Sequence, residues 1–368
     1  MKKTLLFIVL GLFLINYTDA QLLKIHKKDS VVLNIPVADI DSITFDLSGR
    51  LDSLFYQDPL LERIAILTSA ETVTVNDNVV DLPDMAKRGS AYYYPKIGKG
   101  RTRLPVVMVP GLGLDSYMFV TTPDGRDGWI KIFAESKHPS YVYEEPRYMV
   151  HEGIDYSGVV AEDIKIGDPE ASWSKWGMGL EYPIPYDNTQ YPVDYYSNFA
   201  SSFPQYTSFV SDYDDAGKKG RFSMQKLTQQ AAFANLTEFL DTLAGAIIIA
   251  HSWAGILCTE ICTLRPDLVH AIVMYEPVGV PDDSTTIVDI FQDIPFLGLY
   301  GDYIVDRGQD GRKESVMIAD SVLQSKKIMS RGDPGLILTK NPYTANIYCV
   351  PSGSMQSLFP RFSLSPLR

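Results

Sequence analysis

The sequence predicts an α/β fold in which helices flank a mostly parallel sheet. Two observations lead to this prediction. The run LPVVMVPG (104–111) is apolar, rich in β-branched residues and bounded by Pro and Gly, as expected of a strand buried on both faces. From about Met85 onward, strand patterns alternate with helical patterns, and this alternation is typical of parallel sheets.

The individual elements are predicted from their local periodicity. The predicted strands are GSAYYYP (89–95), LPVVMVPG (104–111), SYVYEEPR (140–147), AIIIAHS (246–252), HAIVMYEP (270–277), PFLGLYGDYI (295–304) and NIYCVP (346–351). The predicted helices are WIKIFAES (129–136), a long amphipathic helix within 221–243, a helix from Ala254 to Leu264 and a helix around 315–328. Together they describe an α/β domain over residues 85–351.

Composition limits the class of protein and its partners. The chain has 368 residues, of which 45% are hydrophobic and 21% charged, so it is not a disordered chain and can build a large core. Its formal net charge is −12 and it has no long basic stretch, which argues against nucleic acid as a partner. The sequence contains no CxxC or HExxH pattern, so we expect neither a metal nor a cofactor.

The first 20 residues have the pattern of a secretory signal peptide. Two lysines precede an apolar run from Leu5 to Ile15, and the small residues Thr18 and Ala20 occupy the −3 and −1 positions of a cleavage site. The run is too short to span a bilayer, although an uncleaved N-terminal anchor is the alternative. We expect an exported protein, periplasmic or extracellular, with no stable membrane insertion after cleavage.

Three segments lack the regular alternation of strands and helices: one before it, one within it and one after it. Residues 21–84 form an N-terminal extension in which alternating patterns predict short strands. Residues from about 152 to 220 are rich in Tyr, Trp, Pro, Asp and Ser and show little periodicity. Because structureless loops of this length are rare in compact domains, we expect an inserted cap or lid there. Residues 352–368 form an atypical tail.

Ser252 lies between a predicted strand and a predicted helix, within AHSWAG (250–255). A Ser on a sharp strand-to-helix turn projects its hydroxyl above the sheet, and the helix offers its N-terminus to a developing negative charge. Ala250 and Ala254 are small, as the close approach of the backbone requires, although Gly is usual at both positions. The pattern predicts a nucleophilic serine in a nucleophile elbow. The alternative is a Ser that only caps an ordinary helix.

A glycine-containing loop, Pro110-Gly111-Leu112-Gly113, follows the early strand at 104–111. In this architecture the loop after an early strand supplies one backbone N–H of an oxyanion hole, and the residue after the nucleophile supplies the other. We therefore expect Leu112, or next to it Gly111, to act together with Trp253. The alternative is a glycine turn without a chemical role.

Three further segments occur in order along the chain: TPDGRDGW (122–129), TQYP (189–192) and Glu276-Pro277. With these segments and AHSWAG, residues 85 to 351 resemble the α/β-hydrolase superfamily, and within it a subgroup of bacterial and fungal esterase-like proteins. The chain differs in having Pro110 where a His often precedes the Gly. The resemblance implies an α/β-hydrolase fold and a serine esterase with a triad of Ser, acid and His.

Two carboxylates are candidates for the acid of this triad. Glu276 ends the strand after the elbow helix, and the resemblance implies that this Glu is the acid. Asp302 ends the next strand, where most α/β-hydrolases have their acid. Both strand ends lie on the same side of the sheet as Ser252, so geometry permits either residue. We favour Glu276 and keep Asp302 as the alternative.

No histidine stands where the resemblance implies the catalytic base. The base follows the last strand in this architecture, but residues 352–368 contain no His. His138 and His270 precede strands and so lie at the opposite end of the sheet, and the side chain of His251 is expected to point away from the site. His151, which follows a strand on the side of Ser252, is the remaining candidate base.

The tail at 352–368 also lacks the amphipathic helix that normally closes this fold. We expect that the reading frame shifts or ends early near Pro351, which removes the catalytic His and the last helix. The expected function is that of an exported serine hydrolase acting on small-molecule carboxylic esters, with lactones as a second substrate class. Without a placed His we expect little activity. The alternative is a catalytically silent protein that retains the fold for binding.

Overall fold

The chain divides into two units, Met1–Arg50 and Leu51–Arg368. The computed structural model describes residues 22–26, 32–36, 58, 60–95, 103–148, 167–187, 191–214, 225–301, 310–325 and 346–350. In the first unit, strands β1 (Leu22–His26) and β2 (Val32–Pro36) form an antiparallel hairpin in which Leu23 is opposite Ile35. This hairpin agrees with the short strands predicted there, while the signal peptide lies outside the described residues.

The second unit contains an eight-stranded sheet and a separate two-stranded hairpin. The hairpin consists of β4 (Thr72–Val75) and β5 (Asn78–Asp81). The sheet consists of β3 (Glu62–Leu67), β6 (Arg88–Tyr93), β7 (Val106–Val109), β8 (Ser140–Glu144), β9 (Ala246–His251), β10 (Val269–Tyr275), β11 (Phe296–Gly301) and β12 (Asn346–Val350). Its spatial order is β12-β11-β10-β9-β7-β8-β6-β3. All neighbours from β12 to β8 are parallel, and β6 runs antiparallel to both β8 and β3.

Helices flank this sheet, as the alternating pattern predicts. They are α1 (Tyr117–Val120), α2 (Trp129–Glu135), α3 (Pro169–Lys175), α4 (Tyr196–Ala200), α5 (Leu227–Thr242), α6 (Ala254–Leu264), α7 (Ser284–Phe291) and α8 (Asp310–Ser325). The observed architecture confirms the predicted α/β class. Among the residues that the structure describes, no helix combines the length and apolar character that crossing a membrane would need.

The central strands are buried on both faces, and their alternate side chains enter two different cores. On β7, Val107 and Val109 join the cluster formed with α5, α6 and α7. Val106 and Met108 join the opposite cluster, which includes residues of α1, α2 and the cap. This explains why the strand sequence is continuously apolar rather than alternating.

Most predicted elements are present with somewhat different boundaries, while α1 and α7 are helices that the sequence analysis did not predict. The helix Ala254–Leu264 has the predicted limits. The last helix begins at Asp310 instead of near 315. The sheet also includes β3, because β3 pairs with β6. This strand lies N-terminal to the predicted domain start at residue 85. The limits proposed for the domains and for the tail stay predictions, and residues 352–368 lie outside the described chain.

The cap predicted at 152–220 is described over 167–187 and 191–214, where it contains α3 and α4. Aromatic side chains pack against one another there. The ring centroids of Trp173 and Tyr196 are 5.0 Å apart, and those of Phe199 and Phe203 are also 5.0 Å apart, both pairs edge to face. This geometry is the favourable one for aromatic pairs. These aromatic residues belong to the same core cluster as Met108 and Val142 of the sheet, and the limits of the cap stay a prediction.

The TPDGRDGW segment folds into a closed turn that leads into α2. The N–H of Gly125 donates to the carbonyl of Thr122 (2.9 Å), and the N–H of Arg126 donates to the Thr122 hydroxyl (2.9 Å). Gly125 has a φ of +82°, which a Gly adopts without steric cost. The turn ends at Gly128, after which α2 begins.

Asn235, on α5, joins three parts of the sheet region through its side chain. Its Nδ2 donates to the carbonyls of Ile66 (2.9 Å) on β3 and Lys87 (3.2 Å), and its Oδ1 accepts from the Tyr143 hydroxyl (2.9 Å) on β8. The side chain is fully buried. Asn235 therefore satisfies buried polar groups that would otherwise lose their partners.

We expect Asn235→Ala to lower the free energy of unfolding by about 2–3 kcal/mol, because it leaves buried carbonyl and hydroxyl groups without this partner. Urea unfolding followed by circular dichroism measures the change. Thr242→Ala, in the exposed last turn of the same helix, is the control and should change stability by less than about 0.5 kcal/mol. Equal stability of the two variants would contradict the role given to Asn235.

Candidate active site

Ser252 occupies a sharp turn between β9, which ends at His251, and α6, which begins at Ala254. Its φ is +52°, a left-handed conformation that is unusual for a residue with a side chain. Its N–H donates to the carbonyl of Tyr275 (3.0 Å), and its carbonyl accepts from the N–H of Val278 (2.8 Å). The turn predicted from the sequence is therefore present, and it leaves the Ser252 side chain partly exposed.

Small residues surround this turn, as the sequence analysis expects. Ala250 and Ala254 are buried. A β-carbon added at Gly255 would lie only 2.4 Å from the carbonyl oxygen of Val278. The chain after β10 thus passes directly against the start of α6, and larger side chains here would push the two segments apart.

Gly111, in the loop after β7, packs directly against the turn. An added β-carbon would lie 2.7 Å from His251 Nδ1 and 2.8 Å from Ser252 Cβ. The N–H of Gly111 donates to His251 Nδ1 (3.2 Å), and its carbonyl accepts from the Tyr148 hydroxyl (3.2 Å). The loop is therefore held against Ser252 by close packing and by hydrogen bonds on both sides of Gly111.

Leu112 and Trp253, the predicted oxyanion-hole donors, follow Gly111 and Ser252 in the chain. Both residues are partly exposed. Within the part of the chain that the structure describes, neither backbone N–H has a hydrogen-bond acceptor. Their role as oxyanion-hole donors stays a prediction.

Glu276 lies beside Ser252 at the carboxyl edge of the sheet. The register pairs Tyr275 with His251, so the next residue on each strand is Glu276 or Ser252. Glu276 is buried, has a φ of +43°, and donates its N–H to the carbonyl of Leu299 (2.7 Å). Each of these two neighbouring strands is thus followed by a residue with a left-handed backbone conformation. One of these residues carries a hydroxyl group and the other a carboxyl group. Asp302, the alternative acid, lies outside the described residues.

Arg312 is a residue of this site that the sequence analysis missed. Its Nη1 donates to Ser252 Oγ (3.1 Å) and to the backbone carbonyl of Glu276 (3.1 Å). Within the described residues it is the one side chain that hydrogen bonds to the Ser252 hydroxyl. The sequence contained a signal for this position, because a helix that follows a parallel strand begins at the carboxyl edge of the sheet, where Ser252 lies. The predicted start of α8 near 315 left Arg312 outside the helix.

Three of the five histidines have described side chains. His251 is buried, its ring lies against Tyr275 with centroids 5.7 Å apart, and it bonds to the Gly111 loop. The Nδ1 of His138 contacts the Leu104 carbonyl (2.8 Å), and His270 packs near Gly245, both at the amino edge of the sheet. None of the three bonds to Ser252. His151, the candidate base, lies outside the described residues.

Buried carboxyl groups lie beneath the Gly111 loop. Glu144, which ends β8, accepts from the hydroxyls of Ser116 (2.7 Å) and Ser90 (2.8 Å), and Arg63 is 3.5 Å away. Asp115 accepts from the N–H of Tyr117 (2.9 Å). Burial raises the pKa of Asp115 well above its usual range, and the negative charge of Glu144 raises this pKa further. These groups fix the residues that follow the loop.

We expect Gly111→Ala to lower the free energy of unfolding by about 2–3 kcal/mol, because the added methyl overlaps two packed side chains. Urea unfolding measures this loss. Gly125→Ala is the matched control, since a β-carbon there meets no atom within 4 Å and costs only backbone strain of about 1 kcal/mol. If Gly111→Ala were no less stable than the control, the close approach of the loop to Ser252 would be wrong.

A second prediction concerns the pH dependence of stability. Since the pKa of Asp115 is raised on folding, its contribution is favourable below the unfolded pKa of about 4 and is lost as the pH rises towards the folded value. We therefore expect the free energy of unfolding of Asp115→Asn, relative to that of the wild type, to increase as the pH is raised from 5 to 8. Urea unfolding at both pH values gives this difference.

Asp124→Asn is the control for this measurement. Burial opposes ionisation of Asp124, but hydrogen bonds from Arg126 and Thr122 lower its pKa below the usual value. Asp124 is therefore ionised in both the folded and the unfolded chain above pH 5. The stability difference between this variant and the wild type should stay constant from pH 5 to pH 8. The same constancy in Asp115→Asn would refute the raised pKa.

Comparisons with known proteins relate this geometry to a known fold. No protein-family model matches the chain. The chain is similar to the curated protein "Probable secreted lipase phiG" from Fungal sp. (strain ATCC 74256), with 26% identity over 183 residues. The match covers 49% of this chain and 46% of that protein, so the chain spans about half the length of its curated relative.

Among solved structures, the chain is similar to a bacterial esterase described at atomic resolution. The TM-score is 0.58 and the sequence identity 20%, and the match covers 80% of this chain and 89% of that one. At this identity the likeness concerns the fold. Together with the sheet order and the turn at Ser252, it confirms the predicted fold class: the chain has the α/β-hydrolase fold.

Proposed function

We propose that the protein is a serine hydrolase that cleaves small-molecule carboxylic esters at Ser252. The observation that carries this proposal is the left-handed turn at Ser252, which presents the hydroxyl at the carboxyl edge of the sheet next to Glu276. A strained conformation of this kind persists only where the surrounding structure enforces it, and such positions are concentrated at active sites. The names of the secreted lipase and the bacterial esterase described above support the same substrate class.

In the proposed mechanism Ser252 Oγ attacks the ester carbonyl. The N–H groups of Leu112 and Trp253 bind the negative oxygen of the tetrahedral intermediate, with Gly111 fixing the loop that carries Leu112. The alcohol leaves in this first step, and the acyl group remains on Ser252. In the second step the acyl group is transferred from Ser252 to water. Lactones are the second candidate substrate class, because they contain the same ester group within a ring.

The proton transfers need a base that an acid orients. We infer that Glu276 is this acid, with Asp302 as the alternative, and that His151 is the candidate base. Arg312 cannot act as a base, because a guanidinium remains protonated in proteins. The resemblance to the bacterial and fungal esterase-like subgroup stays part of this proposal, as does export by the signal peptide at residues 1–20. The word "secreted" in the name of the fungal relative supports export.

A second candidate function is binding without catalysis. The observation that favours it is the contact between Arg312 and Ser252 Oγ, because a hydroxyl held by a cation rather than by a base is not activated by proton removal. In this alternative the chain keeps the fold and the Ser252 turn but turns over no ester.

Hydrolysis of p-nitrophenyl butyrate by the full chain and by Ser252→Ala decides between the two functions. For a hydrolase we expect kcat/KM to fall by at least about 1,000-fold in Ser252→Ala, because the covalent route is lost. Ser201→Ala is the control: its hydroxyl is exposed and donates to the Asn198 carbonyl in the cap, so its rate should equal that of the wild type. Equal rates in the wild type and Ser252→Ala would refute the hydrolase.

The same assay separates the candidates for the other two roles. If Glu276 is the acid, Glu276→Gln lowers kcat by several orders of magnitude while Asp302→Asn has a small effect, because a misdirected imidazole loses most of its activity. The opposite result would make Asp302 the acid. A wild-type rate in His151→Ala would exclude His151 as the base.

A further inference from the structure

The direction of the Leu112 N–H is set by the peptide bond that links Leu112 to Gly111. This peptide bond is trans. In a trans peptide unit, the carbonyl of one residue and the N–H of the next point in opposite directions. Whatever holds the Gly111 carbonyl therefore also directs the Leu112 N–H, which is the predicted oxyanion donor of this loop.

Two groups hold the Gly111 carbonyl. The N–H of Leu114 donates to it (3.0 Å) and closes a turn in which Gly113 has a φ of +77°, as in a type II turn. The Tyr148 hydroxyl donates to the same oxygen (3.2 Å). The bond from Leu114 fixes the loop within itself, whereas the bond from Tyr148 fixes the loop against the segment that follows β8.

The N–H of Gly111 has a different partner. It donates to His251 Nδ1 (3.2 Å), at the end of β9. An oxyanion could use this N–H only by displacing the imidazole of His251. The bond therefore favours Leu112 over Gly111, the two residues considered for the donor in this loop.

Tyr148 is itself held in place by its surroundings. It is 1% exposed, its N–H donates to the Glu145 carbonyl (3.1 Å), and its ring meets the ring of Tyr206 edge to face with centroids 6.3 Å apart. A buried ion pair joins Arg147 and Glu145 (2.6 Å) in the same turn. Burial raises the pKa of Tyr148 well above its usual range, and the negative charge of Glu145 raises this pKa further. The hydroxyl therefore stays protonated and remains a donor.

We propose that Tyr148 is a positioning residue, which holds the Gly111 carbonyl and thereby directs the Leu112 N–H towards the oxyanion. In the sheet, β7 lies between β8 and β9. Tyr148 follows β8 and Ser252 follows β9, so the two residues approach the loop after β7 from opposite sides. A carbonyl that points to the side of Tyr148 turns the next N–H to the side of Ser252. This inference rests on the proposed function, because it assumes that an oxyanion forms at Ser252.

Tyr148→Phe tests this role, because it removes the hydroxyl and retains the buried ring. An oxyanion donor acts in the transition state rather than on the bound ester, so a misdirected Leu112 N–H lowers kcat without changing KM. Loss of a whole donor costs about 100-fold or more in kcat, and the Leu114 bond still holds part of the orientation. We therefore expect kcat for p-nitrophenyl butyrate to fall about tenfold, with KM within about twofold of the wild-type value.

Tyr143→Phe is the matched control. Tyr143 is also fully buried, and its hydroxyl donates to Asn235 Oδ1 on α5 (2.9 Å). This variant therefore loses the same kind of hydrogen bond, but away from the Gly111 loop, and it should keep the wild-type kcat and KM. The positioning role would be overturned by an unchanged kcat in Tyr148→Phe, by an equal loss of kcat in both variants, or by a change confined to KM.

Hydrogen exchange of the Leu114 amide tests the same contact without turnover. This N–H donates to the carbonyl that Tyr148 holds, so loss of the hydroxyl lets the turn open more often. By NMR of the chain with isotope-labelled leucine, we expect exchange about fivefold faster in Tyr148→Phe, the factor that corresponds to one net hydrogen bond. Exchange should be unchanged in Tyr143→Phe. A wild-type exchange rate in Tyr148→Phe would overturn the proposal.

These results are distinct from failure of the proposed function. Faster exchange at Leu114 in Tyr148→Phe, in a chain without Ser252-dependent hydrolysis, would keep Tyr148 as the residue that fixes the loop and reject the hydrolase. Ser252-dependent hydrolysis with a wild-type kcat in Tyr148→Phe would keep the hydrolase and reject the positioning role.

Discussion

The candidate site depends on two backbone hydrogen bonds between the ends of adjacent parallel strands. The N–H of Ser252 donates to the Tyr275 carbonyl, and the N–H of Val278 donates to the Ser252 carbonyl. Ser252 and Glu276 both have positive φ values, and such conformations cost on the order of 1–3 kcal/mol each. The mutual bonds across β9 and β10 offset that strain. They hold the hydroxyl at the sheet edge and keep the carboxyl-bearing residue beside it.

The parts of this arrangement that the sequence predicted are local in the chain. A buried strand, a turn of small residues and a largely buried helix lie within 19 residues, 246–264, so their signals are read in one short window. The limits of α6 and the turn at Ser252 follow from that window. The Gly111 loop was predicted for the same reason, because it directly follows a strongly apolar strand.

The parts that the sequence did not predict depend on contacts between distant segments. Glu144 is an unremarkable residue at a strand end until the fold brings Ser90 and Ser116 to its two oxygens. The strands β3 and β6 pair with each other although the hairpin formed by β4 and β5 lies between them in the chain. Arg312 becomes part of the site only because α8 begins at Asp310 and thereby reaches the ends of β9 and β10. Helix ends are the least certain feature of a sequence pattern.

A guanidinium and an imidazole at a serine hydroxyl do different chemistry. An imidazole accepts a proton and returns it, so it supports both halves of acyl transfer. A guanidinium donates hydrogen bonds and carries a permanent charge, so it stabilises negative charge but moves no proton. In the described part of the chain, the side chain that hydrogen bonds to Ser252 Oγ is that of Arg312, which donates. This contact moves no proton, so the proton acceptor of the proposed reaction is expected to come from another segment, for which His151 is the candidate.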